Sequence, residues 1–354
     1  MEPFDNQKDF AKLVDRLGSH HAGKRMEMQA HYSAFLLQGR HFHIHLEEFP
    51  AVSWLIKNVL KITGLWPIAV RNSMRYTIVE HEVPIPHLPQ AFEGFRILHL
   101  SDLHIEGMVD KGQSLATTLA PLDYDLCVLT GDYRFHTFGQ YNKTLTLIAP
   151  LVKHLKAPFG VTGILGNHDW LEMVPGLERC GIRMLLNEAQ PIEKGNDTIW
   201  LLGLDDMHYY ETGDLEKAVK AAPEEAVRIL LVHSPEIIPQ AAEAGIDLYL
   251  CGHSHGGQIC LPGGAPIITH CRCPRSYKAG PWQYDALRGY TSRGVGTSLF
   301  PIRLFCRPEI IIHTLRKTPL ELTPVTTVQH ATFKKSPFLK LPQECPAPSS
   351  TLSK

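Results

Sequence analysis

Five short apolar runs, each followed directly by a polar cluster, constrain this chain of 354 residues more than any other feature. The runs are residues 95–100, 125–130, 159–165, 227–232 and 247–251. Segments with helical spacing lie between them, at 114–122, 141–156 and 236–244. Strands buried on both faces and separated by helices are typical of a parallel sheet. The sequence therefore predicts an α/β core, with a further strand at 198–204 and a second sheet formed from 257–316 and packed on the first.

Carboxylate, amide and imidazole groups make up the polar clusters that follow these runs. In chain order they are Asp102 and His104, Asp132, Asn167 and His168, His233, and finally His253 and His255. In an open α/β sheet ligands bind at the carboxyl ends of the strands, so we expect these side chains to meet. Members of an i, i+2 pair point to the same side of an extended chain, which lets both reach one centre. Nitrogen and oxygen donors of this kind suit a borderline divalent cation.

Each cluster taken alone has an ordinary structural interpretation. A lone His at a strand end is more often a hydrogen-bonded surface residue, and Asp-x-His occurs by chance in many chains. Gly131-Asp132 and Gly166-Asn167 are also turn sequences. Five such clusters in one chain, each directly after an apolar strand, are hard to produce by accident. The set therefore predicts a metal site.

Five motifs within residues 95–316 together have the spacing of a known family. They are Asp102-Leu103-His104, Gly131-Asp132, Gly166-Asn167-His168-Asp169, His233 and Gly252-His253-Ser254-His255. With them the chain resembles the calcineurin-like metallophosphoesterases. The continuation 256–259 (GGQI) is similar to the branch that contains bacterial membrane-associated phosphodiesterases and a UDP-diacylglucosamine hydrolase of lipid A synthesis. The resemblance implies a four-layer α-β-β-α sandwich of two mixed sheets around a binuclear metal site.

The resemblance also implies a role for each motif residue. Asp102, His104 and His255 would hold one divalent ion, Asn167, His233 and His253 the other, and Asp132 would bridge both. His168 would contact the phosphate or protonate the leaving oxygen. Asp169 would orient His168, or serve the structure alone. Two such ions activate a bound water and clamp the reacting oxygens, which predicts phosphoester hydrolysis by a metal-bound hydroxide. Mn, Fe, Zn and Mg all accept these ligands, so the metal stays open.

The residues after Gly131-Asp132 bear on the substrate. Protein phosphatases of this superfamily carry Asp-Arg-Gly there, whereas this chain continues Tyr133-Arg134-Phe135, which disfavours a phosphoprotein. Arg134 could bind a phosphate bidentately, or form only a surface salt bridge. We expect a phosphodiester or pyrophosphate in a small molecule or lipid, with UDP-diacylglucosamine as the leading candidate. A phosphodiesterase acting on soluble diesters and a non-catalytic scaffold of the same fold are the alternatives.

The flanking segments differ from this core. We predict an N-terminal helical region at 1–74, a catalytic domain at 75–316 and a Pro-rich, disordered tail at 317–354. The stretch 51–70 is apolar enough to be a candidate membrane-spanning segment. Lys57 and Lys61 in its middle each cost about 3 kcal/mol at membrane depth, which argues against spanning. An amphipathic helix there would either lie in a membrane interface or pack on the core.

Composition limits the compartment and the partners. A net charge of −1 gives no global attraction to nucleic acid, so we expect no nucleic-acid partner. The polar start of the chain predicts no secretory signal. Eight cysteines without C-x-x-C spacing fit reduced thiols, and Cys271 and Cys273 would need two further ligands to hold zinc. We expect a cytoplasmic protein with peripheral contact at the cytoplasmic face of the inner membrane, while oligomeric state stays open.

Overall fold

A computed structural model describes residues 6–37, 50–267, 269, 271 and 273–318, with side chains described for 8–31 and from residue 54 onward within these ranges. The predicted tail therefore lies outside the described residues from 319 on, as does 38–49 of the N-terminal region. The helices are α1 (Asn6–Leu17), α2 (Ser19–Leu37), α3 (Pro50–Ile62), α4 (Trp66–Asn72), α5 (Gln113–Leu119), α6 (Asn142–His154), α7 (Val174–Arg179), α8 (Leu215–Lys220) and α9 (Ile238–Glu243).

Two sheets of six strands each form the centre of the molecule. The strands are β1 (Thr77–Pro84), β2 (Arg96–Leu100), β3 (Leu126–Leu129), β4 (Val161–Gly163), β5 (Ile182–Met184), β6 (Glu188–Lys194), β7 (Asp197–Gly203), β8 (Arg228–Leu231), β9 (Leu248–Cys251), β10 (Gly280–Tyr284), β11 (Leu287–Thr291) and β12 (Glu309–Arg316). The first sheet has the order β1-β12-β2-β3-β4-β5, and the second has β10-β11-β9-β8-β7-β6. In both, parallel and antiparallel neighbours occur, so both sheets are mixed.

Alternate residues of the central strands pack into different layers. Ile97 of β2 lies between the two sheets, in one apolar cluster with Ile229 of β8. Leu98 faces the other way and belongs to the cluster that includes Leu115 of α5 and Ile148 of α6. Helices α8 and α9 cover the outer face of the second sheet. Because strands buried on both faces lose the polar alternation, they appear as the continuous apolar runs of the sequence. The predicted four-layer α-β-β-α fold is confirmed.

The segment 257–316 does not form a sheet of its own, contrary to the prediction. Strands β10 and β11 extend the sheet that already contains β6 to β9, through parallel pairing of β11 with β9. Strand β12 enters the first sheet between β1 and β2, antiparallel to β2. In both cases an apolar strand packs beside other apolar strands. The pattern of apolar residues alone does not show which of the two sheets such a strand joins.

The apolar stretch 51–70 contains two helices, α3 and α4, instead of one. Leu60 and Ala69 pack against Ile302 and Leu304. The opposite side of α3 stays open, with Ile62 86% exposed. The helix thus packs on the core with one side and leaves an apolar side uncovered. Within the described part of the chain, no helix is both long and apolar enough to cross a membrane.

Candidate metal centre

The predicted ligands lie at one edge of the two sheets, where strand ends meet. Loops after β2, β3, β4, β8 and β9 carry Asp102 and His104, Asp132, Asn167 and His168, His233, and His253 and His255, respectively. His168 is partly exposed, and the others are buried. The structure therefore brings together all eight residues, over a sequence separation of about 150 residues.

The loops themselves are not extended. Positive φ angles of 53° and 40° occur at Asp102 and His104, and of 68° and 51° at His253 and His255. The expectation of extended i, i+2 pairs is wrong for this reason, although the side chains still converge. Non-glycine residues in this region of φ cost on the order of 1–3 kcal/mol each, and such strain clusters at functional sites.

Close approach of two loops explains the glycine before Asp132. Gly131 has a φ of 92°, and a Cβ there would lie 2.5 Å from the Gly166 nitrogen and 2.9 Å from Nδ1 of His233. Only glycine avoids both the strain of a positive φ and the clash of a Cβ with the neighbouring loop. The Gly-Asp and Gly-Asn motifs are therefore a packing requirement of the site as well as turn sequences.

Asp102, His104 and His255 form the first cluster of potential ligand atoms, all within 4.8 Å of one another. The Nε2 atoms of His104 and His255 are 3.1 Å apart, and Nε2 of His255 is 3.4 Å from Oδ1 of Asp102. Nδ1 of His104 donates to the Arg134 carbonyl at 2.7 Å. Since a carbonyl only accepts, the neutral ring of His104 presents the lone pair of Nε2 to the cluster.

Asp132, His233 and His253 form the second cluster. Nε2 of His233 is 3.2 Å from Oδ2 of Asp132 and 3.1 Å from Oδ1 of Asn167, and Nδ1 of His253 is 3.0 Å from the same Asn167 oxygen. Nδ1 of His233 donates to the Thr130 carbonyl at 2.7 Å.

The carboxylate of Asp132 joins the two clusters. Its Oδ1 accepts the backbone N–H of His168 at 2.9 Å, which fixes the group. Its Oδ2 lies 3.5 Å from Nε2 of His104 in the first cluster and 3.2 Å from Nε2 of His233 in the second. One oxygen therefore faces donor atoms of both clusters.

The donor set fits divalent cations. Imidazole, carboxylate and amide donors without a thiolate suit Zn, Fe, Mn and similar ions. His104 and His233 each donate the other ring N–H to a backbone carbonyl, which is the usual support of a metal-bound histidine. These residues could therefore hold a metal ion in each cluster.

Burial and the Asp132 charge set the protonation of the site. Burial raises the pKa of Asp102 to about 6 and lowers the pKa of His104 to about 3. Burial alone would also lower the pKa of His233, but the Asp132 charge and hydrogen bond raise it to about 10. Against the effect of burial, His233 and His168 hold the pKa of Asp132 well below its usual range. The ionised Asp132 thus stabilises positive charge beside it.

His168 faces the clusters without belonging to the predicted ligand set. Its Nδ1 donates to the Phe135 carbonyl at 2.9 Å, and its Nε2 lies 3.9 Å from Oδ2 of Asp132. A ring fixed in this way directs Nε2 toward the space between the clusters. His168 is therefore placed to exchange a proton with a molecule bound there.

Asp169 is a crosslink between two ligand loops. Its buried carboxylate accepts four backbone N–H groups, those of Asp132, Tyr133, Arg134 and Gly166, at 2.7 to 3.2 Å. These bonds tie the loop of Asp132 to the loop of Asn167. Of the two roles left open for Asp169, its contacts favour the structural one.

Arg134 is buried, and its guanidinium contacts the loop at 138–139 and Trp170. Its Nη2 donates to the carbonyls of Phe138 and Gly139 at 2.8 and 3.0 Å, and its guanidinium lies 4.7 Å from the Trp170 ring centre. These contacts are not those of a surface salt bridge, the alternative for this residue. They also offer no support for the predicted phosphate contact.

Sequence reasoning missed Arg303, which supports a predicted ligand. The guanidinium is fully buried, and its Nη1 donates to the His255 carbonyl at 3.0 Å while Nη2 and Nε donate to Gly296. No motif surrounds Arg303, and it lies 48 residues from His255. Only the folded chain reveals the contact.

A cavity of about 640 Å³ opens directly onto the clusters. Asp132, Asn167 and His168 lie on its polar side. Apolar side chains line most of the rest, and they come mainly from α3 and from two later loops: Leu55, Ile56, Val59, Leu60, Ile259, Leu261, Ile267, Leu299, Phe300, Leu304 and Phe305. The site thus combines a polar end with an apolar body, as in many small-molecule sites.

The chain is similar to known proteins over its central part and, in several of them, over most of its length. The family model described as calcineurin-like phosphoesterase matches residues 95–257. The uncharacterized metallophosphoesterase YkuE of Bacillus subtilis is 30% identical over 254 residues, which cover 68% of this chain and 85% of that protein. Phosphodiesterase YaeI of Escherichia coli is 30% identical over 231 residues, covering 61% and 80%. A transmembrane protein with metallophosphoesterase domain from Danio rerio is 29% identical over 278 residues, covering 72% of this chain and 60% of that protein.

Proposed function

Because this chain belongs to the calcineurin-like phosphoesterase family and is thus a metal-dependent phosphoester hydrolase, we propose that it uses two divalent ions to hydrolyse a phosphodiester or pyrophosphate. The observation that carries this proposal is the position of Asp132, whose Oδ2 faces Nε2 of His104 on one side and of His233 on the other. A carboxylate oxygen that faces imidazole nitrogens of two clusters is the arrangement that a pair of cations needs.

Seven side chains would hold these ions. Asp102, His104 and His255 would hold one, Asn167, His233 and His253 would hold the other, and Asp132 would contribute to both. Divalent ions bound there supply Lewis-acid stabilisation of the phosphoryl oxygens and lower the pKa of a bound water. Only two of the seven ligands are carboxylates, so the loaded site keeps a positive charge that attracts an anionic phosphoester. Mn, Fe, Zn and Mg all remain candidates.

His168 is the proposed general acid. Its Nδ1–H is held by the Phe135 carbonyl, so a proton carried on Nε2 points toward the site. Donation of that proton to the leaving oxygen avoids the release of a free alkoxide. For Asp169, predicted to orient His168 or to serve the structure alone, we propose the structural role: it maintains the positions of the loops on which Asp132 and Asn167 lie.

The apolar cavity supports a lipid-linked substrate. Each methylene group transferred from water to such a surface gains about 0.8 kcal/mol. A substrate with its phosphoester beside Asp132 and His168 can extend an acyl chain along Leu60 and Leu304. A diacylated nucleotide-sugar such as UDP-diacylglucosamine has this chemistry, since its pyrophosphate joins a nucleotide to a lipid. We propose this class, with a phosphodiesterase of soluble diesters as the second candidate.

Exposed apolar residues around the cavity support peripheral contact with a membrane. They come from α3, residues 261–267 and residues 299–305, and include Trp54, Leu55, Ile62, Leu261, Ile267 and Phe305. Phe305 also borders a second cavity of about 410 Å³, in which four basic residues (Arg275, Lys278, Arg293 and Arg307) outnumber Glu309. Apolar side chains beside basic ones suit an anionic bilayer surface, which we place on the cytoplasmic side of the inner membrane.

Activity assays with added Mn²⁺ test the proposal. Purified enzyme should cleave UDP-diacylglucosamine in detergent and release UMP, and the D132N variant should lose turnover. The V59D variant places a charge in the apolar cavity, so it should lower kcat/KM for the lipid and spare a small soluble diester. Its matched control is N58D, which adds a charge to the same helix outside the cavity lining.

Three outcomes would contradict parts of this proposal. Cleavage of soluble diesters without cleavage of the lipid would favour the second candidate. Equal kcat/KM for the lipid in V59D and N58D would remove the cavity from the substrate site. Absence of hydrolysis across diester, nucleotide-lipid and monoester substrates would indicate a scaffold.

A further inference from the structure

Helix α2 contacts the metal centre from outside the family-matched residues. The family model begins at residue 95, whereas α2 covers Ser19–Leu37. Its buried side chains face the loop after β4, which carries Asn167, His168 and Asp169. The N-terminal segment is therefore packed on the catalytic core at the point where a predicted ligand is held.

Arg25 makes the central contacts of this packing. Its guanidinium is fully buried, and Nη2 donates to the Asp169 carbonyl at 2.9 Å. The guanidinium carbon lies 3.5 Å from the ring centre of Tyr210, a cation–π contact. Nε lies 3.6 Å from Oδ1 of buried Asp205, which balances the charge. Burial alone would raise the pKa of Asp205, but Arg25 and His21 hold it at about 2, so the carboxylate stays ionised.

Tyr210 links Arg25 to the ligand Asn167. The tyrosine hydroxyl donates to the Asn167 carbonyl at 3.1 Å. Asn167 in turn places Oδ1 at 3.1 Å from His233 and 3.0 Å from His253. Further along the same loop, Oε1 of Gln29 accepts the Leu171 N–H at 2.8 Å. Residues of α2 thus fix the backbone that follows Asn167, at Asp169 and at Leu171.

We propose that Arg25 is a positioning residue, which through Tyr210 and the Asp169 carbonyl fixes Asn167 and thereby sets the affinity for one of the two divalent ions. The inference rests on the proposed function, because it requires the Asn167 side chain to be a ligand. Outer contacts of metal ligands typically contribute 10- to 100-fold in metal affinity. Arg25 is suited to this role because it is buried and charge-balanced, so its position is fixed.

Equilibrium dialysis of the full-length protein against graded Mn²⁺, with bound metal counted per chain, tests the inference. The wild type should bind two ions. In R25Q one of the two should bind about 10- to 100-fold more weakly, while the other keeps its affinity. Y210F, which keeps the ring and removes only the hydroxyl, should weaken the same ion in the same direction. R16Q is the matched control, since it removes an exposed ion pair with Glu178 and should bind both ions normally.

The outcomes separate the inference from the proposed function. Two ions bound with wild-type affinity in both R25Q and Y210F would overturn the inference, whatever the change in melting temperature. If R25Q does not fold, Y210F decides the question alone. A wild-type protein that binds fewer than two ions would refute both this inference and the proposed function.

Discussion

Replacement of Asp169 by Asn tests whether the loops of the metal centre depend on one carboxylate. Oδ2 of Asp169 accepts the N–H groups of Asp132 and Gly166 at 2.7 and 2.9 Å, and Oδ1 accepts those of Tyr133 and Arg134 at 2.9 and 3.2 Å. An Asn side chain has the same shape but only one acceptor oxygen. Its NH₂ group would therefore face two backbone N–H groups in the fully buried site.

The cost follows from the two hydrogen bonds that D169N loses. A hydrogen bond to a charged group contributes about 1.5–3 kcal/mol, so we expect a loss of roughly 3–6 kcal/mol in unfolding free energy. This loss is a large share of the roughly 5–15 kcal/mol that holds a typical protein folded. Because Asp132 and Asn167 lie on the two loops, D169N should also bind metal more weakly.

Urea unfolding followed by circular dichroism measures the expected loss. D214N is the matched control, because Asp214 caps α8 by accepting the Lys217 N–H at 2.9 Å, and Asn caps helices equally well. D214N should therefore unfold like the wild type. A D169N protein within 1 kcal/mol of wild-type stability, with unchanged activity, would refute the crosslinking role.

Two further predictions concern His168 and a histidine cluster in the first sheet. H168A should lower kcat by about 10²- to 10⁴-fold without changing the amount of bound metal. The loss should be smaller for a substrate with a nitrophenolate leaving group, which needs little protonation. Equal losses for good and poor leaving groups would exclude His168 as a general acid. His313 contacts both His81 and His99, and burial lowers the pKa of His81 to about 4 and of His99 to about 3. Because these folded-state values lie below the ordinary 6.5, the neutral rings stabilise the fold fully above pH 6.5, and this stability is lost as the pH falls. His81 alone should remove about 3 kcal/mol of unfolding free energy as the pH falls from 6.5 to 4. Urea unfolding of H81Q should therefore depend less on pH in this range than that of the wild type. Equal pH dependence of the two proteins would contradict this.

The ligand set could be predicted because the sequence pattern and the topology agree. Asp102, Asp132 and His233 each follow an apolar run within a few residues, and parallel strands place their carboxyl ends at one edge. The sequence alone was therefore sufficient to place these polar residues at one site. The backbone conformation of their loops could not be predicted in this way. Asp102 has no glycine beside it, and Gly252 before His253 is the one local signal of a left-handed φ at these two positions.

The supporting contacts could not be predicted, because their partners are distant or are backbone groups. Arg25 contacts Asp169 across 144 residues, and nothing in the sequence around either position indicates the pair. The role of Asp169 depends on four backbone N–H groups, which every residue except proline offers. The guanidinium of Arg134 is buried against the loop at 138–139 and Trp170. A motif search that places an arginine near the site cannot show which groups its guanidinium contacts.

Diffraction from Mn²⁺-soaked crystals, measured at a wavelength where manganese scatters anomalously, tests the shared carboxylate most directly. We expect two anomalous peaks per chain, about 3.5–4 Å apart, with the Asp132 carboxylate between them and Asn167 beside one of them. A single peak, or peaks that leave Asp132 without a metal contact, would contradict the two-ion mechanism.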